Sequence, residues 1–323
     1  MLQPLVVGLG RSGAGLHLKA LRNLARSGQI RLGPVIGCDP RPDLARDLSG
    51  VVLTTSPEQA LRHVHDPRTT VAHVCTPPHD RLPLLCELAD HGVRHLLIEK
   101  PIATTRDELS DLLRLRGRAG IRLTAVTHWL AAELTTRLRR LVTEQPYGPL
   151  RRLTIDQDKP RFTRSLASGS HRTALEVEIP HALALAVHLC GPAQVVRASC
   201  TELRTDHEAR PHLGGARVEL HHTDGVRTTL RSDLTSPVRR RSAELEFRDA
   251  TVVAHYPVGE DDDHAQLQLP GRAPQIFRDD ALLAFFHAAY QDFATKDSPG
   301  FAHGHFATTA EAARLVCEAK ALL

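Results

Sequence analysis

Two short stretches place chemically useful residues where strand-like runs end. Gly8-Leu9-Gly10-Arg11-Ser12-Gly13 follows an apolar run and opens a helical pattern. In that context the first glycine permits a tight turn, the second lets backbone approach a pyrophosphate, and the third allows close helix-to-strand packing. Free amides at the helix start, at Arg11 and Ser12, favour an anion. An ordinary glycine-rich strand-to-helix turn is the competing reading. The second candidate strand ends in Cys38-Asp39-Pro40-Arg41. Asp39 there can accept hydrogen bonds from a ribose diol and disfavours a 2′-phosphate, so NAD is the expected cofactor. Asp39 lies somewhat further beyond Gly13 than the usual ~20 residues, which a longer loop at residues 26–29 absorbs. Arg41 keeps NADP open, since a guanidinium can pair with a 2′-phosphate, and a turn-capping role keeps Asp39 open as well.

The third strand ends in Cys75-Thr76-Pro77-Pro78 and the fourth in Glu99-Lys100-Pro101. Carboxyl edges of open α/β sheets are where ligands bind. A lysine and a glutamate at such an edge are costly to bury unpaired, which marks Glu99 and Lys100 as candidates for the reacting edge, with Thr76 and Pro77 lining the cofactor.

The elements that must hold these residues alternate. Strand-like runs at residues 4–7, 32–38, 71–74, 96–98 and 122–126 are separated by helical patterns, the form of a parallel sheet covered on both faces. Ala14, Leu18, Leu21 and Ala25 fall on one helical stripe. Ser56, Pro57 and Gln59 read as a capped helix start, as do Thr105 and Glu108. Beyond about residue 127 the pattern becomes α+β: helices at 130–142 and 180–189, strands at 150–156, 194–200, 216–222, 226–232, 243–247 and 251–256 in the manner of an antiparallel meander, then helices at 280–294 and 309–322, the last opened by Thr308 and Glu311. The acidic run 260–263 and the basic run 239–241 read as solvated turns.

Composition narrows the function. The 323 residues exceed the roughly 250 at which one core usually stops growing, so two domains are expected, 1–125 and 126–323. A net charge of +4 and 4% aromatic residues argue against nucleic acid as a partner. Six cysteines without a CxxC pair point to a reducing compartment. The sequence shows neither a secretory leader nor an apolar stretch long enough to span a bilayer, so a cytoplasmic protein without a membrane partner is expected. The twenty histidines form no recognisable ligand spacing, so no metal is expected.

The glycine turn, Asp39, Thr76-Pro77-Pro78 and especially Glu99-Lys100-Pro101, in this order, resemble the family of glucose-fructose oxidoreductase, inositol dehydrogenase and the rhizopine-catabolism dehydrogenases (Gfo/Idh/MocA). The resemblance spans the chain. It implies an N-terminal Rossmann domain with a doubly wound parallel sheet, and a C-terminal domain with an open, mostly antiparallel sheet and helices, one side carrying the substrate site and the other an oligomer interface, hence a homodimer or homotetramer. It further implies that Lys100 polarises a substrate hydroxyl or helps move its proton. A histidine on a C-domain helix normally assists, and the matching segment makes His181 the acid/base candidate, with a satisfied histidine at a helix start as the plainer alternative. The family often has aspartates four residues before and three after this histidine, where the chain has Val177 and Ala184. Glu178 is taken as the substitute, with Glu176 nearly as good. Arg81 stands where a histidine is common, and Thr127-His128-Trp129 replaces the usual asparagine-rich turn. By the same resemblance His128, Asp158 and Arg161, with Asp156 and Lys159 beside them, lie near the substrate pocket.

The resulting expectation is NAD(P)-dependent hydride transfer to or from a hydroxyl-bearing carbon of a sugar, amino sugar or cyclitol. Reduction of an imine, an enone or a linear tetrapyrrole, and a non-catalytic dinucleotide sensor, are the alternatives.

Overall fold

The apolar run ahead of the glycine turn becomes the centre of a sheet. In the computed structural model, which describes residues 1–28, 30–41, 48–118, 120–167, 171–259, 262–295 and 300–323, β1 (Gln3–Val7) pairs in parallel with β2 (Val35–Cys38) and β4 (Thr70–Val74). With β3 (Val51–Thr54), β5 (His95–Ile98) and β6 (Arg122–Ala125) they form a six-stranded parallel sheet in the order β3-β2-β1-β4-β5-β6. This is the doubly wound order, whose reversal lies beside β1, where dinucleotides bind. The strands β1, β4 and β5 are buried along their whole length, which explains their continuous apolar runs. The edge strand β3 also carries a short apolar run, Val51-Val52-Leu53, but is half-exposed, and the sequence reading does not assign it as a strand.

Helix starts follow the local signals. Ser56 caps α2 (Pro57–Arg62) by accepting from the Gln59 amide, and Thr105 caps α4 (Arg106–Arg116) by accepting from the Glu108 amide. The first helix departs from its expected phase. A wider π-helical turn, Gly13–Leu18, precedes α1 (Lys19–Arg26), so His17, Leu18, Leu21 and Leu24 face inward while Ala25 is exposed.

By its contacts the chain divides into two compact units, Met1–His128 with Leu282–Ala310, and Trp129–Ala281 with Glu311–Leu323. Helix α3 (Arg81–Asp90) belongs to the first, as does α8 (Ala281–Ala294) from Leu282 on, although the sequence reading places 282–310 in the second domain.

The second unit holds an eight-stranded, mostly antiparallel sheet in the order β14-β13-β12-β11-β7-β10-β9-β8. Its strands are β7 (Leu150–Asp158), β8 (Ala193–Arg204), β9 (Ala209–His222), β10 (Arg227–Asp233), β11 (Arg240–Phe247), β12 (Thr251–His255), β13 (His264–Gln268) and β14 (Gln275–Arg278). The expected meander is interrupted, because β7 sits between β10, to which it is parallel, and β11. The short polar strands β13 and β14 gave too few apolar residues to read. On one face Leu153, Ile155, Leu230, Ala243 and Leu245 pack in one core with α7 (Ile179–Cys190). That helix is buried nearly all round, as an apolar run without polar stripe requires. Helix α5 (Glu133–Glu144) adds Leu134 and Leu138 to the same core.

Two expectations are corrected. The last helix, α9 (Phe301–Lys320), begins earlier than residue 309, and the Thr308 hydroxyl donates back to the Gly304 carbonyl along the helix instead of capping it. The basic run is no turn: Arg240 and Arg241 open β11 and alternate across its faces. Of the acidic run, Glu260 and Asp261 lie outside the described residues, as does Gln29 of the loop at 26–29.

Candidate active site

The three glycines of the first turn meet three different demands. Gly8 has φ +88°, and a Cβ there would stand 3.0 Å from the Cys75 carbonyl carbon. At Gly13 a Cβ would stand 1.9 Å from the Gly8 carbonyl oxygen, so helix and strand could not approach as they do. Gly10 is different: a Cβ would meet only the Arg41 guanidinium, at 3.7 Å. This is the open approach a pyrophosphate needs, over the amides of Arg11, Ser12 and Gly13 at the start of the helical turns. The residues present fit a bound dinucleotide.

Asp39, 6% exposed, is held at the end of β2. Its Oδ2 accepts from the Leu9 amide at 2.8 Å, and Arg41 donates from Nε to Oδ1 at 2.9 Å and from its backbone amide to the same oxygen. Burial opposes the carboxylate, but these bonds from Arg41 and Leu9 outweigh it and lower the Asp39 pKa. Arg41 therefore covers the Asp39 carboxylate, and a ribose diol binding there would have to displace one of its bonds.

At the ends of β4 and β5 one arginine ties two loops together. Arg81, 2% exposed at the start of α3, donates to the carbonyl oxygens of Thr76, Glu99 and Pro101. Burial lowers its pKa to about 10, against the field of Glu99. The Thr76 hydroxyl oxygen is buried without a hydrogen-bond partner among the described residues, and Pro77 leads into the 3₁₀ turn Pro78–Asp80. The Glu99 side chain folds back so that Oε2 accepts from the Lys100 amide at 3.1 Å, and Lys100 leads into a cis peptide to Pro101.

Behind this loop lies a polar chain that the sequence reading missed. His17 Nε2 is 3.0 Å from Glu99 Oε1, His17 Nδ1 is 2.9 Å from His73 Nδ1, and His73 Nε2 is 2.7 Å from the Tyr290 hydroxyl. His17, His73 and Tyr290 are fully buried. Burial opposes a charge on His17, yet Cys75 and Glu99 beside it raise its pKa to about 10. Burial likewise opposes the Glu99 carboxylate, and the His17 hydrogen bond reverses the effect, lowering its pKa. Burial and the neighbouring His17 push His73 well below its ordinary range. No sequence signal marks His17, because the π-helical turn that rotates it inward leaves no residue signature.

In the second unit a separate polar group gathers at one end of the helix-covered sheet face. Glu178 stands at the N-cap of α7, where its Oε1 accepts from Lys159 Nζ at 2.6 Å. His181, in the first turn of α7, is 7% exposed and stacks on Trp129, which stacks on Tyr256 with ring centroids 4.4 Å apart. Gln157 and Ser232 are register partners on β7 and β10, and both lie on this face, two residues beyond Ile155 and Leu230. They are 1% and 4% exposed, and neither the Gln157 amide atoms nor the Ser232 hydroxyl oxygen has a hydrogen-bond partner among the described residues. Arg241, paired with Gln157 across β11, donates to the Pro257 carbonyl. Arg161 is buried just beyond Lys159, and its amide donates to the Leu234 carbonyl. The alternation Leu153, Ile155, Gln157, Lys159 was the signal that could have found Gln157: an apolar face that turns polar at its end.

The remaining candidates lie elsewhere. Asp158 points to the opposite face of β7, where it and Asp156 pair with Arg240, and Asp156 also with Arg231, so strand alternation removes both from the helix-covered face. Glu176 is held by Lys320 Nζ at 2.7 Å and by the Arg172 amide, as Glu178 is held by Lys159. His128 opens the 3₁₀ turn His128–Ala131 and is half-buried. Among the described residues no group of three His, Cys, Asp or Glu is arranged to hold a metal ion.

A doubly wound sheet and a glycine turn open to an anion together fit a dinucleotide-binding domain. The sequence model of the family described as "Oxidoreductase family, NAD-binding Rossmann fold" matches residues 2–127, the N-terminal part of the chain, in line with the resemblance. Solved structures share the fold of the whole chain. An NAD-binding oxidoreductase from Klebsiella pneumoniae matches with a TM-score of 0.77 at 16% identity, over 99% of this chain and 96% of that one. A levoglucosan dehydrogenase solved with NADH and L-sorbose matches with a TM-score of 0.75 at 16% identity, over 99% and 97%. An oxidoreductase from Agrobacterium radiobacter in complex with NAD+, L-tartaric acid and magnesium matches with a TM-score of 0.76 at 14% identity, over 98% and 94%. No curated protein sequence matches the chain. No helix among the described residues is long and apolar enough to cross a membrane.

Proposed function

We propose that the protein transfers a hydride reversibly between NAD(P) and a hydroxyl-bearing carbon of a polyol, a sugar, amino sugar or cyclitol. The observation that carries the substrate class is the pair Gln157 and Ser232. An amide and a hydroxyl buried side by side without partners cost free energy that a polyhydroxylated ligand would recover by supplying donors and acceptors. An apolar pocket for an enone or an imine has no use for them. The levoglucosan dehydrogenase and the Agrobacterium oxidoreductase, solved with L-sorbose and L-tartaric acid, bind ligands rich in hydroxyls, which supports the same class.

When bound, the nicotinamide takes up or gives the hydride at its C4. Lys100 polarises the reacting hydroxyl, and His181 exchanges its proton. Glu178, fixed by Lys159, holds the helix start that presents His181. Arg161 contributes to substrate binding alongside Gln157. Copies of the chain associate as a homodimer or homotetramer through the outer face of the eight-stranded sheet, whose Arg152–Glu246 and Arg240–Asp158 pairs alternate in charge. The cysteines, all free, accord with a cytoplasmic setting.

A steady-state screen tests the reading. Polyols should turn over with NAD or NADP, and Lys100→Ala should lower kcat by about 100-fold or more. Turnover of imines or enones with polyols inert, and a harmless Lys100→Ala, would contradict it.

A further inference from the structure

The buried chain from Tyr290 to Glu99 joins four polar side chains through a region that could have been apolar. Two imidazole Nδ1 atoms 2.9 Å apart share one proton: with two they clash, with none their lone pairs repel. The same proton accounting continues to both ends. If His17 supplies that proton, its Nε2–H still donates to Glu99, and His73 donates onward to Tyr290. The groups facing His17 are Glu99 at the end of β5, Cys75 and His73 at the end of and within β4, and Phe286 of α8, whose ring lies 5.1 Å away centroid to centroid. Among the described residues no other carboxylate pairs with it. Glu99 is thus held at both oxygens, Oε1 by His17 and Oε2 by the Lys100 amide, while Arg81 holds the Glu99 carbonyl from the other side.

We propose that His17, backed by His73 and Tyr290, is a positioning residue for the reaction: it holds the Glu99 carboxylate on the Lys100 backbone and so fixes how Lys100 is presented. This rests on the reading of Lys100 as the group that meets the substrate hydroxyl. Without His17, Glu99 loses the partner of one oxygen in a buried setting and rotates towards the nearest cation it can reach, the Lys100 ammonium, which is thereby drawn out of place.

The test compares His17→Phe, which fills the volume and donates nothing, with His17→Gln, whose amide still donates to Glu99. Two readouts need no substrate: NADH binding, and acylation of Lys100 followed by mass spectrometry, where Lys19, Lys159 and Lys320 are internal references. The expected result is NADH affinity close to wild type in both variants, Lys100 acylation slowed several-fold in His17→Phe and partly restored in His17→Gln, and kcat lowered by about 10- to 100-fold in His17→Phe with KM little changed. Unchanged Lys100 acylation in folded His17→Phe overturns the proposal. So does an equal loss of NADH binding and stability in both variants, the mark of a merely structural role. If His17→Phe does not fold, nitrogen NMR of the wild-type histidines decides: a protonated His17 Nε2 is required, and a bare Nε2 overturns the proposal. A failure of the polyol reading shows in the turnover screen alone and leaves the acylation and NMR results standing.

Discussion

Lys159 Nζ donates to Glu178 Oε1 across 2.6 Å, and Glu178 directly precedes the helix whose first turn carries His181. Both side chains are largely shielded, at 18% and 7% exposure, so removing one takes a close charge partner from the other in a dry setting. Lys159→Met should therefore cost about 3 kcal/mol of stability, near the lower end for breaking a buried pair. The double variant Lys159→Met with Glu178→Leu should recover most of that, because both members of the pair are then apolar. Urea unfolding measures both. The recovered double variant should stay poorly active. Full activity in it would remove Glu178 from the mechanism.

The second glycine of the turn offers a cleaner probe of the cofactor than the first or third. Gly10→Ala should leave the fold intact, since a methyl group there meets only Arg41, and weaken NADH binding by about tenfold, or roughly 1.4 kcal/mol. Gly13→Ala should instead destabilise the domain by about 1–3 kcal/mol, because its methyl group collides with the Gly8 carbonyl. Fluorescence titration and thermal unfolding separate the two. Equal NADH affinity in wild type and Gly10→Ala would place the pyrophosphate elsewhere.

Gln157→Leu and Ser232→Ala should affect stability and function in opposite directions. Removing an unpartnered buried polar atom should leave stability unchanged or raise it by about 1 kcal/mol. KM for the polyol should rise by about tenfold in each, the worth of one lost hydrogen bond of about 1.4 kcal/mol. Losing stability instead would show that both atoms are satisfied in the folded protein.

The histidine chain predicts a pH signature. Against its burial, Cys75 and Glu99 raise the His17 pKa from 6.5 to about 10. The resulting stabilisation is complete below 6.5 and is lost as pH rises towards about 10, since the unfolded chain has already released that proton. His73 acts with the opposite sign. Buried and neutral, it costs stability only as pH falls below its ordinary 6.5, where the unfolded histidine binds a proton that the folded one refuses. The stability difference between wild type and His17→Phe should therefore shrink between pH 6.5 and 10. A constant difference over that range would mean that His17 is neutral in the fold.

How much of this was legible depends on which physical signal each feature leaves. The central strands of the first sheet are buried on both faces and read as apolar runs, and the glycine turn reads because backbone crowding at Gly8 and Gly13 excludes every other residue. Strands β3, β13 and β14 lie at or near sheet edges and lack that pressure. Lys100 and Glu99 stood out as charges at a strand end, whereas the group that fixes Glu99 did not: His17 faces inward only because a π-helical turn shifts the phase of its helix. Asp158 is a candidate through the family resemblance, and the two-residue period of β7 turns it away while bringing Gln157 in. The return of residues 282–310 to the first unit comes from long-range packing, for which a single sequence carries no local mark.

The central claim is hydride transfer from a polyol carbinol carbon, and isotope transfer tests it directly. A polyol deuterated at the carbinol carbon is incubated with NAD and the enzyme, and the nicotinamide product is read by NMR. The account predicts deuterium at C4 of the ring on one face, with the label appearing far more slowly in Lys100→Ala. Absence of label from every polyol that the protein binds, with wild-type protein that binds NAD, would contradict it.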